Sequence, residues 1–186
     1  MNRPETAVYI ATTVDGFIAR SDDRLDWLDH DTGGEDYGWE AFRHSVDALV
    51  IGRRTYDQVA GFGIEWPYKG LATVVRSRTL TTEDLPATLR DEGVEVSALP
   101  AGELLAELGK RGLKRAWIDG GQVVQAFLAA GLVDTLTVSR IPILIGAGVT
   151  LFGALPGDVH LTHVETRSFG SGVVQTTYAP RATATR

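Results

Sequence analysis

The sequence predicts an α/β protein: a mixed, mostly parallel central sheet between two helical layers, closed by a C-terminal β-hairpin. Three observations predict it. Short apolar runs rich in β-branched residues alternate with stretches of helical spacing along most of the 186 residues, the pattern of strand–helix–strand units. Two of those runs end in glycine directly before a helical stretch, at Gly52 and at Gly120-Gly121. The last two alternating segments, 159–168 and 173–178, are joined by Phe169-Gly170-Ser171-Gly172, which reads as a hairpin connection.

Taken in order, residues 7–13 form the first expected strand, and Asp15-Gly16 a turn after it. Residues 20–34 are polar and read as a long loop, with Trp27 and Leu28 tucking it onto the body. A helix is expected over 36–45, where Trp39, Phe42 and Val46 recur at three and four. The apolar run 46–51 reads as a buried strand, and 54–60 as a helix stopped by Gly61 and Gly63. Further strands are expected at 71–75, 94–97, 116–119 and 136–141. Helices are expected at 85–90, disturbed by Pro86, at 102–111 with Leu104, Leu105 and Leu108 on one face, and at 122–130 with an apolar stripe through Val123 and Phe127.

Composition narrows the function classes. A chain of 186 residues with 44% hydrophobic content fits one domain, expected over 1–186 with its core at about 7–180. A net charge of −6 argues against general attraction to nucleic acid or anionic membranes. The absence of cysteine excludes a disulfide framework, thiolate nucleophiles and cysteine-ligated zinc, and agrees with a cytoplasmic location. No signal peptide and no spanning segment is visible; the longest apolar stretch, 141–152, contains a proline and two glycines before Phe152. The four histidines show no metal-binding spacing, so no metal is expected.

Three segments carry candidate chemistry. At Gly52-Arg53-Arg54-Thr55, a strand runs into a helix whose open N–H groups and positive dipole end favour a phosphate. Thr55 can cap that helix or donate its hydroxyl to the phosphate, and the arginines add charged donors; a capped helix with solvated arginines explains the same residues. At Asp119-Gly120-Gly121-Gln122-Val123, two glycines permit close backbone approach to a ligand, or serve a tight turn needing positive φ. At Arg76-Ser77-Arg78, arginines stand at a strand end where NAD-binding folds place an acid. If the segment faces the cofactor they suit the 2′-phosphate of NADPH; surface arginines explain the same residues.

Ordered along the chain, these segments resemble the dihydrofolate reductase superfamily, closest to the branch that holds the reductase domain of riboflavin biosynthesis. The matching pieces are Ala11-Thr12-Thr13-Val14-Asp15-Gly16-Phe17-Ile18-Ala19, Val50-Ile51-Gly52-Arg53-Arg54-Thr55-Tyr56, Val74-Val75-Arg76-Ser77, Ile118-Asp119-Gly120-Gly121, Gly131-Leu132-Val133-Asp134 and Pro142-Ile143-Leu144-Ile145-Gly146-Ala147-Gly148. The resemblance implies a dihydrofolate-reductase-like fold, NADPH as cofactor and hydride transfer to a small heterocycle, pteridine-like or a ribosylaminopyrimidine. It implies Ala11 and Ile18 at the nicotinamide, Gly52, Arg53, Arg54 and Thr55 at the phosphates, Arg76, Ser77 and Arg78 at the adenosine end, and Gly120, Gly121, Gln122 and Val123 along the pyrophosphate. Relatives in this branch often dimerise, and stretch 141–152 suits a homodimer interface as well as a core.

For the proton that C=N reduction requires, a carboxylate near the start of the helix before the Gly52 strand is expected by the same resemblance. Asp36 stands there, preceded by Glu35, though acids also favour helix starts for their own sake. Asp15 competes, since an Asp-Gly here lies beside the substrate in the riboflavin branch; Asp-Gly is equally a turn former. The loop after Ile18 lacks the Pro-Trp pair of folate enzymes, and with no cysteine the zinc deaminase often fused to the riboflavin enzyme is not expected within these residues. A catalytically silent NADP-binding protein and a true dihydrofolate reductase remain alternatives at this point.

Overall fold

A computed structural model describes residues 3–29 and 33–181. Positions 30–32 of the polar loop and the tail beyond 181 lie outside the described residues. In chain order the elements are β1 (Glu5–Thr13), β2 (Phe17–Ala19), α1 (Trp39–Ser45), β3 (Ala48–Gly52), α2 (Arg53–Ala60), β4 (Ala72–Arg76), α3 (Ala87–Asp91), β5 (Val94–Ser97), α4 (Ala101–Lys110), β6 (Arg115–Ile118), α5 (Gly121–Ala129), β7 (Thr135–Ile141), β8 (Val149–Thr150), β9 (Leu161–Ser168) and β10 (Val174–Pro180).

Eight strands form one sheet in the order β5-β4-β3-β6-β1-β7-β10-β9. The first six are parallel to one another. β10 returns antiparallel to β7, and β9 antiparallel to β10, giving the expected closing hairpin. Parallel strands covered on both faces read as near-continuous apolar runs, and Ala48, Leu49, Val50 and Ile51 of β3 are all fully buried. One face packs Val8, Val50, Val74 and Ile118 under Leu104, Leu105 and Leu108 of α4 and Val124 and Phe127 of α5. The other packs Leu49, Ile51, Val75 and Trp117 under α1 and α2 with Tyr56 and Val59. Helices on both faces make the three-layer α/β/α architecture.

Several boundaries differ from the expectation for local reasons. The helix expected from 36 begins only at Trp39, because Tyr37 (φ +55°) and Gly38 (φ +85°) adopt left-handed backbone. Pro86 is not inside α3 but caps it, leaving a helix of five residues. α2 starts at Arg53 with Gly52 as its N-cap, and Thr55 makes no capping bond. A second, two-stranded sheet pairs β2 with β8 and ties the segment after the Asp15-Gly16 turn to the 141–152 stretch. That stretch is part core and part surface: Ile141 and Leu151 are buried, Leu144 and Phe152 exposed. Trp27 is buried as expected, while Leu28 stays at the surface. Among the described residues no helix is long and apolar enough to cross a membrane.

Candidate active site

The chain leaves β3 toward β4 and β5 on one side of the sheet, and leaves β6 toward β7 on the other. The carboxyl ends of β3 and β6 therefore flank a topological switch point, where open α/β sheets bind ligands. A cleft of about 1180 Å³ opens there. That exceeds the roughly 300–1,000 Å³ of a site for one drug-sized ligand, so it has room for two molecules side by side. Every residue expected at the cofactor, from Ala11 and Ile18 through Gly52–Thr55 and Arg76–Arg78 to Gly120–Val123, lines this one cleft.

The two glycine corners interlock at its floor. A Cβ at Gly120, whose φ is +89°, would stand 2.6 Å from Thr55 Oγ1; a Cβ at Gly52 would stand 3.2 Å from Val123 Cγ2. A Cβ at Gly121 would meet the Thr150 carbonyl oxygen at 2.9 Å. Neither α2 nor α5 carries a side-chain cap on its N-terminal N–H groups. Two uncapped helix starts side by side form a main-chain cradle with donors and positive dipole ends. That is the kind of donor set a pyrophosphate needs.

Among the described residues, the cleft's cations come from two neighbouring parts of the chain. Arg53, Arg54, Arg76 and Arg78 enter from α2 and the end of β4. Arg53 pairs with Asp57 one turn along α2 at 2.8 Å, and Arg54 pairs with Asp23 of the 20–29 loop. Gln58 also donates to the Asp23 carbonyl, so the loop is strapped onto α2 across the cleft. Arg76 donates to the Leu99 carbonyl at 3.2 Å, and burial lowers its pKa.

Part of the lining is aromatic. Parallel register places Ala11 of β1 beside Ser139 of β7, so Tyr9, Ala11, Ser139 and Ile141 share the face beneath α1. Trp39 and Trp117 meet edge to face at 5.1 Å, Tyr68 and Trp117 at 5.4 Å, and Tyr9 stacks on Phe42 at 4.3 Å. Gln175, buried on β10, lies 3.0 Å from the Tyr9 hydroxyl and 2.9 Å from Ser139 Oγ. Tyr9 in turn donates to the Tyr37 carbonyl at 2.5 Å. This network fixes the edge of the wall.

Three carboxylates were candidates or emerge as such. Asp36 lines the cleft, but its oxygens accept from the N–H groups of Gly38 at 2.9 Å and Glu40 at 3.2 Å. Those bonds, Gly38's first, hold its carboxyl below the ordinary value, which suits a turn-and-helix cap and makes a poor proton donor. Asp15 does not reach the cleft. It lines a separate cavity of about 480 Å³. Its carboxylate accepts from the Thr13 hydroxyl at 2.5 Å and from the Ile145 and Gly146 N–H groups at 3.1 and 2.8 Å. The Thr13 bond above all lowers its pKa. Asp15 therefore anchors the 143–148 loop and lines a different cavity from the residues expected at the cofactor.

Asp119 is the residue the sequence reading quoted without singling out. It follows β6 by one residue, lines the cleft and shares the face of Trp117 two residues earlier. Burial pushes its carboxyl up to about 6, against an opposing pull from the Gly120 N–H. The Asp119 charge also helps burial to raise the Tyr68 hydroxyl. The available signal was an acid wedged between an apolar strand and Gly-Gly, at a strand end facing a cleft. Among the described residues no group of three or more His, Cys, Asp or Glu side chains is placed to hold a metal ion.

Comparison with known proteins identifies the family and the fold. The family model of the RibD C-terminal domain matches residues 4–175. The uncharacterized protein YwjB of Bacillus subtilis (strain 168) is 31% identical over 170 residues, covering 91% of this chain and 94% of that protein. A crystal structure from Shewanella sp. PV-4, of a protein provisionally named for riboflavin biosynthesis, superposes with a TM-score of 0.88 at 34% identity, covering 96% of this chain and 99% of that one. The fold is also that of dihydrofolate reductase: the Enterococcus faecalis enzyme, in complex with NADP(H), superposes with a TM-score of 0.65 at 18% identity over 96% of this chain and 97% of that one.

Proposed function

The chain belongs to the RibD C-terminal domain family, and on that premise we propose that it is an NADPH-dependent reductase of a small heterocyclic substrate. The observation that carries the proposal is the interlocked pair of uncapped helix starts, where a Cβ at Gly120 would strike Thr55, beneath a cleft lined by four arginines. When bound, NADPH would supply the hydride. Gly52–Thr55 and Gly120–Val123 would hold its pyrophosphate on main-chain N–H groups. Arg76 and Arg78 would take the 2′-phosphate, and the backbones of Ala11 and Ile18 would flank the carboxamide.

The protein's own contribution to chemistry is then positioning and proton supply. The aromatic wall of Trp39, Tyr68 and Trp117 excludes water and orients a flat ring. Asp119, with its carboxyl near 6, holds a proton for a useful fraction of time near neutral pH and returns to carboxylate after giving it up. Asp36 keeps the loop in place rather than exchanging protons.

The test is NADPH binding followed by fluorescence, with NADPH oxidation measured over a panel of heterocycles including dihydrofolate. Binding at micromolar NADPH, and turnover that Asp119→Asn cuts at least tenfold with unchanged NADPH affinity, is the expected result. Absence of binding at millimolar NADPH refutes the proposal. Binding without turnover of any ring would leave a nucleotide-binding protein in its place.

A further inference from the structure

We infer that the chain carries a second ligand site, separate from the cleft, for a small carboxylic acid with an elongated apolar body. The site is the cavity of about 480 Å³ that Asp15 borders, a volume within the range of small-molecule sites. Strand register fixes the face on which it opens. Thr12 of β1 pairs with Arg140 of β7, while Val138 and Leu136 of β7 pair with Thr176 and Tyr178 of β10. Paired residues share a face and successive residues alternate. This set therefore points away from the side of Ala11 and Ser139, which line the cleft, and every member of it lines the second cavity. The inference stands independently of the reductase reading.

The cavity has a polar end and an apolar body. At the polar end Thr12 is only 3% exposed, yet among the described residues its hydroxyl has no hydrogen-bond partner. A buried hydroxyl is ordinarily bonded, and this one borders a cavity. Beside it in register stands Arg140, whose guanidinium makes no ion pair or hydrogen bond among the described residues. The other charged lining residue is Asp15. Its oxygens already take the Thr13 hydroxyl and the N–H groups of Ile145 and Gly146. The charge left to be matched is the guanidinium, and a guanidinium with a hydroxyl at its side is a donor set for a carboxylate. From Arg140 back to Leu136 the strand runs about 13 Å. Val138 and Leu136 line that run, and Leu161 and the exposed Phe152 add to its apolar lining. An extended acid such as octanoate matches this layout, its head at Thr12 and Arg140 and its chain directed toward Tyr178.

The experiment titrates the full chain with octanoate, and with octanol and acetate, which lack the charge and the chain in turn. Binding is read from the methyl resonances of Leu136, Val138 and Leu161 in isotope-labelled protein, so that it is located as well as detected. Octanoate at millimolar concentration should shift these resonances and saturate, and the other two should bind at least about tenfold more weakly. Arg140→Ala, at an exposed position where circular dichroism can confirm the fold, should weaken octanoate about tenfold or more. Thr12→Val should weaken it about fivefold. Equal binding of octanol and octanoate, or octanoate binding unchanged in Arg140→Ala, overturns the acid site. Absence of any shift with millimolar octanoate overturns it too, whether the cavity binds nothing or is covered by a second copy of the chain.

Discussion

Replacing Gly120 by alanine tests the cradle directly. Gly120 sits at φ +89° and ψ 136°, next to a region that is nearly glycine-only, so an alanine there costs about 1–3 kcal/mol of backbone strain. Its Cβ would also lie 2.6 Å from Thr55 Oγ1, forcing Thr55 away from its rotamer for about 0.5–1.5 kcal/mol more. The sum, about 1.5–4.5 kcal/mol, is a large share of a single domain's stability. It should appear as a lower urea midpoint at constant slope. The displaced corner should also weaken NADPH at least tenfold. Adding Thr55→Ala separates the two terms. It removes the clashing oxygen and leaves neighbours no closer than 3.8 Å, so about 1 kcal/mol of stability returns, while the backbone strain stays. NADPH affinity does not return, because the Thr55 hydroxyl is gone. Wild-type stability together with wild-type NADPH affinity in Gly120→Ala would refute the interlocked cradle.

Arg78→Ala should raise the NADPH dissociation constant about tenfold and leave NADH binding unchanged, measured by titration at low salt; equal losses for both would move Arg78 away from the 2′-phosphate. Asp23→Asn frees Arg54 from its ion pair. Because both side chains are more than a third exposed, the gain in NADPH affinity should be at most about fivefold and should shrink with added salt. Asp36→Ala should lower the thermal midpoint by freeing the Gly38 and Glu40 N–H groups while leaving turnover per folded molecule unchanged. A carboxyl raised from 3.8 to about 6 on folding binds more protons in the native than in the unfolded chain between those values. Its contribution to stability therefore falls as pH rises from about 4 to 6, by at most roughly 3 kcal/mol. Urea midpoints at the two ends of that window should differ less in Asp119→Asn than in the wild type, and an identical difference would show that Asp119 titrates normally.

Much of the architecture was legible because it is written in periodicity and glycine. Fully apolar runs such as 48–51 predict a strand covered on both faces, and Leu104, Leu105 and Leu108 predict the buried face of α4. The pairing of β2 with β8 was not legible, since strands of three and two residues carry no period. Nor was the late start of α1. Asp36 followed by Trp39 looks like a helix entry, and only the backbone shows that Tyr37 and Gly38 turn left-handed first. The same shift bears on Asp36: an acid at that spacing serves a turn or a substrate equally well in sequence, and here its oxygens accept from the turn's N–H groups.

The lining of the cleft differs in legibility because it is built from different parts of the chain. The cradle is made of main chain at two helix starts, and main-chain exposure demands glycine, which sequence displays. Other lining residues are side chains brought together by strand register. Tyr9, Ala11, Ser139 and Ile141 face one way only because Ala11 pairs with Ser139 rather than with a neighbour. A slip of one residue between β1 and β7 would turn one strand's share of that set to the other face without altering either glycine corner. Burial opposes such a slip: Val8 and Ile10 on the far face of β1 pack with Val138 of β7. The substrate side is thus specified by the core behind it. Asp119 inherits its place from the same alternation, since the buried Ile118 beside it must face α5. The acid in the cleft is fixed by the hydrophobic residue that precedes it.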